Sequence, residues 1–320
     1  MTQHQYISFV KDFFVSLHKN SAGMIRVAVV GYGNIGKYAL EAVETAPDME
    51  CAGIVSRDPE ALKSRTGLGY HIVSDIRELG KVDVAILATP SRKVEENALK
   101  YLGMGISTVD SFDIHTDICH LRKALAPVAE KNGAVSVISA GWDPGSDSIV
   151  RTLMRALVPE GTTYTNFGPG RSMGHSVAAK AIPGVHEALS MTIPEGKGIH
   201  SRRVYVELEQ GAVFETVAAA IKSDPYFASD VTTVEAVPSV EAINSLMHGV
   251  DLVRSGVSGR TDGQDLEFKM RINNPALTGQ VLVCAARAAM RQKAGCYTMI
   301  EIPVIDYLPG DREQLIHDLV

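Results

Sequence analysis

Arg26-Val-Ala-Val-Val-Gly31-Tyr32-Gly33-Asn34-Ile35-Gly36-Lys-Tyr-Ala-Leu40 decides the fold. A short β-branched run enters glycines spaced G-x-G-x-x-G, and a helical pattern follows through residue 46. Each glycine has a physical task. Gly31 permits a tight turn off a strand, Gly33 lets a pyrophosphate approach bare backbone, and Gly36 lets the helix pack on the sheet. The helix N-terminus offers unpaired N–H groups and partial positive charge to the phosphates. Glycine-rich turns are common, so the spacing alone is a weak signal. The strand before it, the helix after it and a second strand over 51–55 supply the context of a dinucleotide site.

That second strand runs into Ser56-Arg57-Asp58-Pro59, ahead of a helix over 59–65. An acidic residue here takes the ribose hydroxyls of NAD, whereas an arginine suits a 2′-phosphate. Ser56 and Arg57 come first and favour NADP, with Asp58 still able to accept a ribose hydroxyl. Residues 82–88 form a near-continuous apolar run, as expected of a parallel strand covered on both faces. The run ends in Ala88-Thr89-Pro90-Ser91, a turn whose small polar groups can line a cofactor. A strand over 107–110 ends in Ser111-Phe112-Asp113, a helix spans 114–132, and a strand covers 134–139. Such alternation predicts a Rossmann-type doubly wound parallel sheet with ligands at the carboxyl ends of its strands. Asp113 and Asp143 fall just past two of those ends.

From Ser146 the pattern changes. A helix over 146–157 leads to a strand at 162–167 and a loop bearing glycine and histidine at 171–176. Alternating stretches at 187–193, 202–209, 231–237, 248–258 and 265–272 are interrupted by helices at 211–222 and 240–244. They predict one mixed, largely antiparallel sheet with helices on one face, an α+β domain. Asn274-Pro275 opens a helix to about residue 293, and segments at 298–302 and 311–319 return the chain to the first domain. The expected division is an extension over 1–23, a nucleotide domain over 24–145 with 274–320 packed back on it, and a substrate and dimerisation domain over 146–273.

Composition narrows the class. The 320 residues are 45% hydrophobic and 21% charged, as in ordinary globular proteins. A net charge of −6 gives no electrostatic case for nucleic acid or an anionic membrane. Four scattered cysteines without a C-x-x-C pair point to a reducing cytoplasm and away from disulfides or zinc. The histidines lack H-x-x-x-H spacing, so no metal is expected, and no run reaches transmembrane length. Tyr6, Val10, Phe13, Phe14 and Leu17 fall at helical spacing over 5–19, but Lys11 and Asp12 interrupt any signal-peptide core. With Met24 able to initiate, residues 1–23 are expected to be dispensable.

Several residues carry candidate chemistry. Asp110, Asp113 and Asp117 cluster, and Asp117 reads as a solvated helix residue. Asp113 is either a helix cap or a carboxylate beside a nicotinamide, holding an ammonium or taking its proton. Gly141-Trp142-Asp143-Pro144-Gly145 holds the single tryptophan, either a packed indole or the wall of a cleft. His175 among glycines suits a structural role or a shaped loop. Arg202 and Arg203 either clamp a carboxylate bidentately or remain surface charges.

At Val109-Asp-Ser-Phe-Asp113, Ser139-Ala-Gly-Trp-Asp-Pro-Gly145 and Phe167-Gly-Pro-Gly170-x-Ser172-x-Gly174-His-Ser176, the chain resembles the meso-diaminopimelate D-dehydrogenases. Ile182-Pro-Gly-Val185, Asn274-Pro275 and the last twenty residues fit as well, so the similarity runs from about Arg26 to the end. The last two of those three blocks are far more specific than the dinucleotide fingerprint. The resemblance implies an NADP-dependent homodimer that oxidatively deaminates the D-centre of meso-diaminopimelate. The products are L-2-amino-6-oxopimelate, ammonia and NADPH, on a branch of lysine biosynthesis. It implies Ser56, Arg57 and Asp58 at the adenosine phosphate, and Gly31, Tyr32, Gly33, Asn34, Ile35 and Gly36 around the pyrophosphate. Ala88, Thr89, Pro90 and Ser91 would line the nicotinamide side with Ser111, Phe112 and Asp113. Asp113 and Asp143 would flank the reacting amine. Trp142, Phe167, Met173, Gly174, Thr192, Arg202, His248 and Asn274 match substrate-contacting positions, with Asp251 an equal candidate to His248 because the alignment slips there. Phe167, Met173 and Val177 replace a tryptophan, a glutamine and an aspartate of better-known members, and the segment from Thr192 to Arg202 is shorter. These departures mark a short-loop subgroup, and the less polar pocket they imply is expected to admit other D-amino acids or their 2-keto acids at low rates.

Three alternatives compete. A Gfo/Idh-type sugar dehydrogenase shares the layout but usually carries Glu-Lys-Pro where this chain has Asp110-Ser111-Phe112. An aldehyde-type dehydrogenase needs a nucleophilic cysteine in a shaped turn, and Cys119 falls in a helical stretch. A non-catalytic NADP-binding sensor would keep the glycine turn and need neither Asp113 nor Asp143.

Overall fold

In a computed structural model of the chain, residues 23–243 and 247–320 are described. The helix expected over 5–19 lies outside them. The chain divides into two compact units, one running to Ser148 and resuming over Thr278–Val320, the other spanning Ile149–Leu277.

Unit 1 is built on seven parallel strands: β1 (Ile25–Val30), β2 (Met49–Val55), β3 (Ile72–Val73), β4 (Val84–Leu87), β5 (Ser107–Asp110), β6 (Val135–Ile138) and β14 (Gly295–Thr298). Their order is β14-β6-β5-β4-β1-β2-β3. The chain steps outward from β1 to β3, then returns to β4 on the other side of β1. That reversal opens a crevice beyond the carboxyl ends of β1 and β4, where doubly wound sheets bind ligands. Helices α1 (Asn34–Thr45), α2 (Pro59–Thr66), α3 (Val94–Leu102) and α4 (Ile118–Lys131) connect the strands. Alternation along β1 splits its side chains between two cores. Ala28 and Val30 join Leu87, Leu102, Leu121 and Leu125, while Val29 joins Leu40, Ile54 and Leu62. With both faces covered, every residue of β4 is apolar and fully buried.

The C-terminal segment is fastened within unit 1. Arg287, 3% exposed, donates to both carboxylate oxygens of Asp48 at 2.6 and 2.7 Å and to the Tyr307 carbonyl at 3.0 Å. Hydrogen bonds to charged groups contribute about 1.5–3 kcal/mol, and Asp48 is a third exposed. Arg287→Ala is therefore expected to cost about 2 kcal/mol, read as a lower denaturant midpoint with unchanged slope.

Unit 2 departs from expectation. It contains two sheets rather than one: β11-β10-β9-β8 and β13-β12-β7. The first comprises β8 (Gly170–Ser172), β9 (Val185–Gly196), β10 (Ile199–Leu208) and β11 (Val231–Ala236). The second comprises β7 (Glu160–Phe167), β12 (Met247–Ser258) and β13 (Thr261–Asn273). Only β10 and β11 pair in parallel among these strands. The stretch expected as a loop over 171–176 is the end of β8 followed by helix α6 (Met173–Lys180). Helix α6 forms because Ala179 packs against Val185, Ala188, Val204 and Val206, and tertiary burial overrides the poor propensity of Gly174. Helix α7 (Phe214–Ser223) adds Val217 and Ile221 to the same core. The expected helix over 240–244 is a single 3-10 turn at Glu241–Ile243, and residue 244 lies outside the described residues. The chain crosses between units within α5 (Ser146–Leu157) and α8 (Asn274–Ala289); α8 ends four residues before the expected 293.

Candidate active site

The turn after β1 shows why its glycines are needed. Gly31 has φ +90°, and a Cβ there would stand 2.6 Å from the Ala88 carbonyl oxygen. A Cβ on Gly36 would stand 2.2 Å from the Gly31 carbonyl oxygen. Gly33 differs: a Cβ would meet nothing within 4 Å, so its bareness serves an approaching group rather than internal packing. Gly33 is also the N-cap of α1, with no side-chain cap bond and no acidic residue in the first turn. The N–H groups between Tyr32 and Ile35 therefore suit the pyrophosphate of a dinucleotide.

At the end of β2, the Asp58 carboxylate accepts from the Ala61 N–H at 3.0 Å and caps α2. Its own N–H donates to the Ser56 hydroxyl at 3.3 Å. Asp58 thus caps the helix through Oδ1, and it and Arg57 are both exposed, with Arg57 supplying the cationic tip. A cationic tip of this kind fits a phosphate better than a ribose hydroxyl.

Ser91, past β4, and Asp113, past β5, are joined. The Ser91 hydroxyl donates to Asp113 Oδ1 at 2.5 Å, and the Asp113 N–H donates back to that hydroxyl at 3.3 Å. Asp113 is the N-cap residue of neither the 3-10 turn at His115–Asp117, which is Ile114, nor α4, which is Asp117. Asp117 is exposed, as expected. Past β6, Gly141 N–H donates to the Pro144 carbonyl at 3.0 Å and Ser146 N–H to the Gly141 carbonyl at 3.1 Å. Gly145 closes this turn so tightly that a Cβ would lie 1.9 Å from the Gly141 oxygen. The turn buries Trp142 and leaves the Asp143 side chain 11% exposed. His115 Nε2 stands 4.0 Å from Asp143 Oδ2. Nothing in the sequence singles out His115, which sits in a short polar stretch without periodicity.

In unit 2, Arg202 on β10 lies directly opposite Thr192 on β9 and donates to its hydroxyl through Nη1. Arg202 Nε also donates to Asp230 at 2.6 Å. Strand alternation separates the two arginines: Arg202 is 8% exposed, whereas Arg203 faces out, 3.7 Å from Glu235. Asp230 also lies 3.8 Å from His200, whose ring meets Phe167 edge-on at 5.8 Å. Asp230 and His200 had no signal in the sequence, because 28 residues separate Asp230 from Arg202. Gly170 pairs with Thr192, Asn274 donates to the Arg171 carbonyl at 3.4 Å, and Gly168 N–H donates to the Gly249 carbonyl at 2.9 Å. These contacts gather Phe167, Thr192, Arg202 and Asn274 around β8, beside Met173 and Gly174 at the start of α6. His248 is buried on the β12 face shared with Val250 and Leu252. Its Nδ1 accepts from the Gly249 N–H at 2.7 Å, whereas Asp251 points the other way and is held by Arg271 at 2.7 Å.

Other candidates fall away. His175 accepts or donates at Ser172 Oγ, 2.9 Å away, and packs edge-on against Tyr226 and Phe227. Burial, with Arg202 nearby, pushes the imidazole of this half-buried residue down to about 3. Burial pushes the Cys51 and Cys296 thiols up to about 11 and about 12, far from a reactive thiolate. Cys119 lies in α4. Among the described residues no group of three His, Cys, Asp or Glu could hold a metal ion, and no helix is long and apolar enough to cross a membrane.

The chain is similar to known proteins over most of its length. Residues 141–201 match the family model of the diaminopimelic acid dehydrogenase C-terminal domain. Residues 25–112 match that of the oxidoreductase family NAD-binding Rossmann fold. The meso-diaminopimelate D-dehydrogenase of Bacteroides fragilis is 63% identical over 92% of this chain and 99% of its own. The structure of C. glutamicum DAP dehydrogenase in complex with DAP covers 93% of this chain and 100% of its own, with a TM-score of 0.85 and 29% identity. An engineered D-amino acid dehydrogenase bound to NADP+ gives a TM-score of 0.83 at 29% identity, over 93% of this chain and 100% of that one.

Proposed function

Because the chain belongs to the meso-diaminopimelate D-dehydrogenase family, we propose that it oxidises the D-centre of meso-diaminopimelate with NADP+, giving L-2-amino-6-oxopimelate, ammonia and NADPH. The observation that carries this is the delivery of Asp113 and Asp143 from the tips of the adjacent strands β5 and β6, beyond the crevice beside the β1 glycine turn. When bound, the nicotinamide supplies the hydride acceptor. The chain's residues prepare the amine. Hydride leaves Cα only when the nitrogen lone pair can push, so the ammonium must first lose a proton. Asp113 or Asp143 takes that proton, directly or through water. The iminium that forms is cationic, and the same carboxylates stabilise it as charge develops. Water then adds to the iminium carbon and ammonia departs. Ser91 holds Asp113 in place through its hydroxyl. Arg202 and Thr192 are assigned to the substrate's distal end, and Trp142, Phe167, Met173, Gly174, His248 and Asn274 to the walls around it.

The reaction is tested by following NADPH formation with purified protein. Turnover of the meso isomer and none of the L,L isomer, which has no D-centre, is the expected result. A protein that binds NADP+ and turns over neither isomer would be a sensor instead. Apolar Phe167 and Met173 in place of more polar residues further lead us to expect slow turnover of other D-amino acids, whereas Val177 is exposed on α6. NADP preference is assigned to Arg57. Arg57→Ala is expected to raise KM for NADP+ about tenfold or more, the size of one lost charge-assisted contact, with little change for NAD+. Equal effects on both cofactors would remove the 2′-phosphate assignment. A role in lysine biosynthesis, a cytoplasmic setting and a homodimeric working form belong to the same proposal, the last checked by sedimentation.

A further inference from the structure

We infer that Asp110 is a positioning residue that sets the Asp113 and Asp143 loops relative to each other. The β5–β6 ladder pairs only Thr108 with Ser136 and Val109 with Val137. Beyond Val137 the sheet no longer fixes the distance between the two chains, and Asp110 takes over. Its Oδ1 accepts from the Phe112 N–H and from the Ser139 N–H, each at 3.0 Å. Its main-chain carbonyl accepts from the Ala140 N–H at 2.6 Å. Phe112 immediately precedes Asp113. Ser139, held at φ +55° although not glycine, starts the segment that ends at Trp142 and Asp143. One side chain therefore ties the roots of both loops.

Asp110 is fully buried, and among the described residues its Oδ2 and the buried Ser139 hydroxyl have no hydrogen-bond partner. Burial pushes its carboxyl up to about 6 despite the two N–H donors. An acid kept in such a place costs stability that an apolar residue would not. The two backbone donors it satisfies are what it provides in return, and they need an acceptor at Oδ1 rather than a negative charge.

This rests on the proposed reaction and is tested beside it. Active sites are counted by NADPH binding, and kcat per site is measured for Asp110→Ala and Asp110→Asn. Asp110→Ser, too short to bridge both N–H groups, replaces the alanine variant if that one does not fold. The alanine or serine variant is expected to lose about 10–100-fold in kcat per site, with the KM for NADP+ unchanged and a larger deuterium isotope effect at the D-centre. The asparagine variant keeps the acceptor and is expected within about threefold of the parent. Wild-type kcat per site in the shortened variant would overturn the inference, because a purely structural role lowers the number of sites and not their rate. An asparagine variant as slow as alanine would also overturn it, by showing that the acid itself is required. If the parent fails on meso-diaminopimelate, the substrate assignment is at fault, and the comparison is run with the D-amino acid it does oxidise.

Discussion

Asp113→Asn is expected to lower kcat about 10³-fold while the Kd for NADP+ stays within about twofold. The loss lies within the 10²–10⁴ that a positioned general base contributes. Asparagine keeps the shape and still accepts the Ser91 hydroxyl, whose bond to Asp113 Oδ1 is 2.5 Å long, but it cannot take a proton. Nucleotide affinity should survive because Gly33 and the α1 N-terminus, not Asp113, are the groups proposed to meet the phosphates. The same change at Asp143 separates the two carboxylates. The one whose loss abolishes the acid limb of the kcat pH profile is the base, and the other acts through charge. Retained activity in Asp113→Asn would exclude it as the essential proton acceptor.

Arg202→Met should raise the KM for meso-diaminopimelate about 10²-fold and reduce kcat far less. Truncating one partner of a buried, hydrogen-bonded charge pair costs about 2–5 kcal/mol, and about 2.7 kcal/mol is a hundredfold. Arg202 reaches Asp230 through Nε and Thr192 through Nη1, and among the described residues Nη2 makes no hydrogen bond, so it can meet a carboxylate. Some of the loss will come from Asp230, left without its guanidinium, so a lower thermal midpoint is expected as well. Arg203→Met is the control. Arg203 sits one residue along the strand and faces outward, so its removal should leave KM unchanged. Equal effects at both positions would mean that the arginines act by general charge and not by contact.

Local chemistry was legible in the sequence, and long-range pairing was not. The segments 107–110 and 146–157 have the bounds of β5 and α5 because a strand between turn residues and an amphipathic helix are both local signals. The second domain's two sheets were invisible as such. β7 pairs with β12, far along the chain, and alternation reports a strand's faces but not its neighbour. Helix α6 was hidden by Gly174, since its stability comes from Ala179 in the core rather than from propensity. Within the site, the loops bearing Asp113, Trp142 and Asp143 announced themselves through compact motifs. Asp230, His200 and His115 did not, because each matters only through a neighbour that folding supplies. Arg202 and Arg203 looked equivalent on paper, and one step of strand alternation divides them.

The most direct test is a crystal structure of the protein with meso-diaminopimelate and NADP+, and in it the distances from the D-centre nitrogen to the two carboxylates. The expected result is that nitrogen about 3 Å from Asp113 or Asp143, with the hydrogen on its carbon directed at the nicotinamide C4. The L-centre nitrogen in that place, or both carboxylates turned away from the ring, would contradict it.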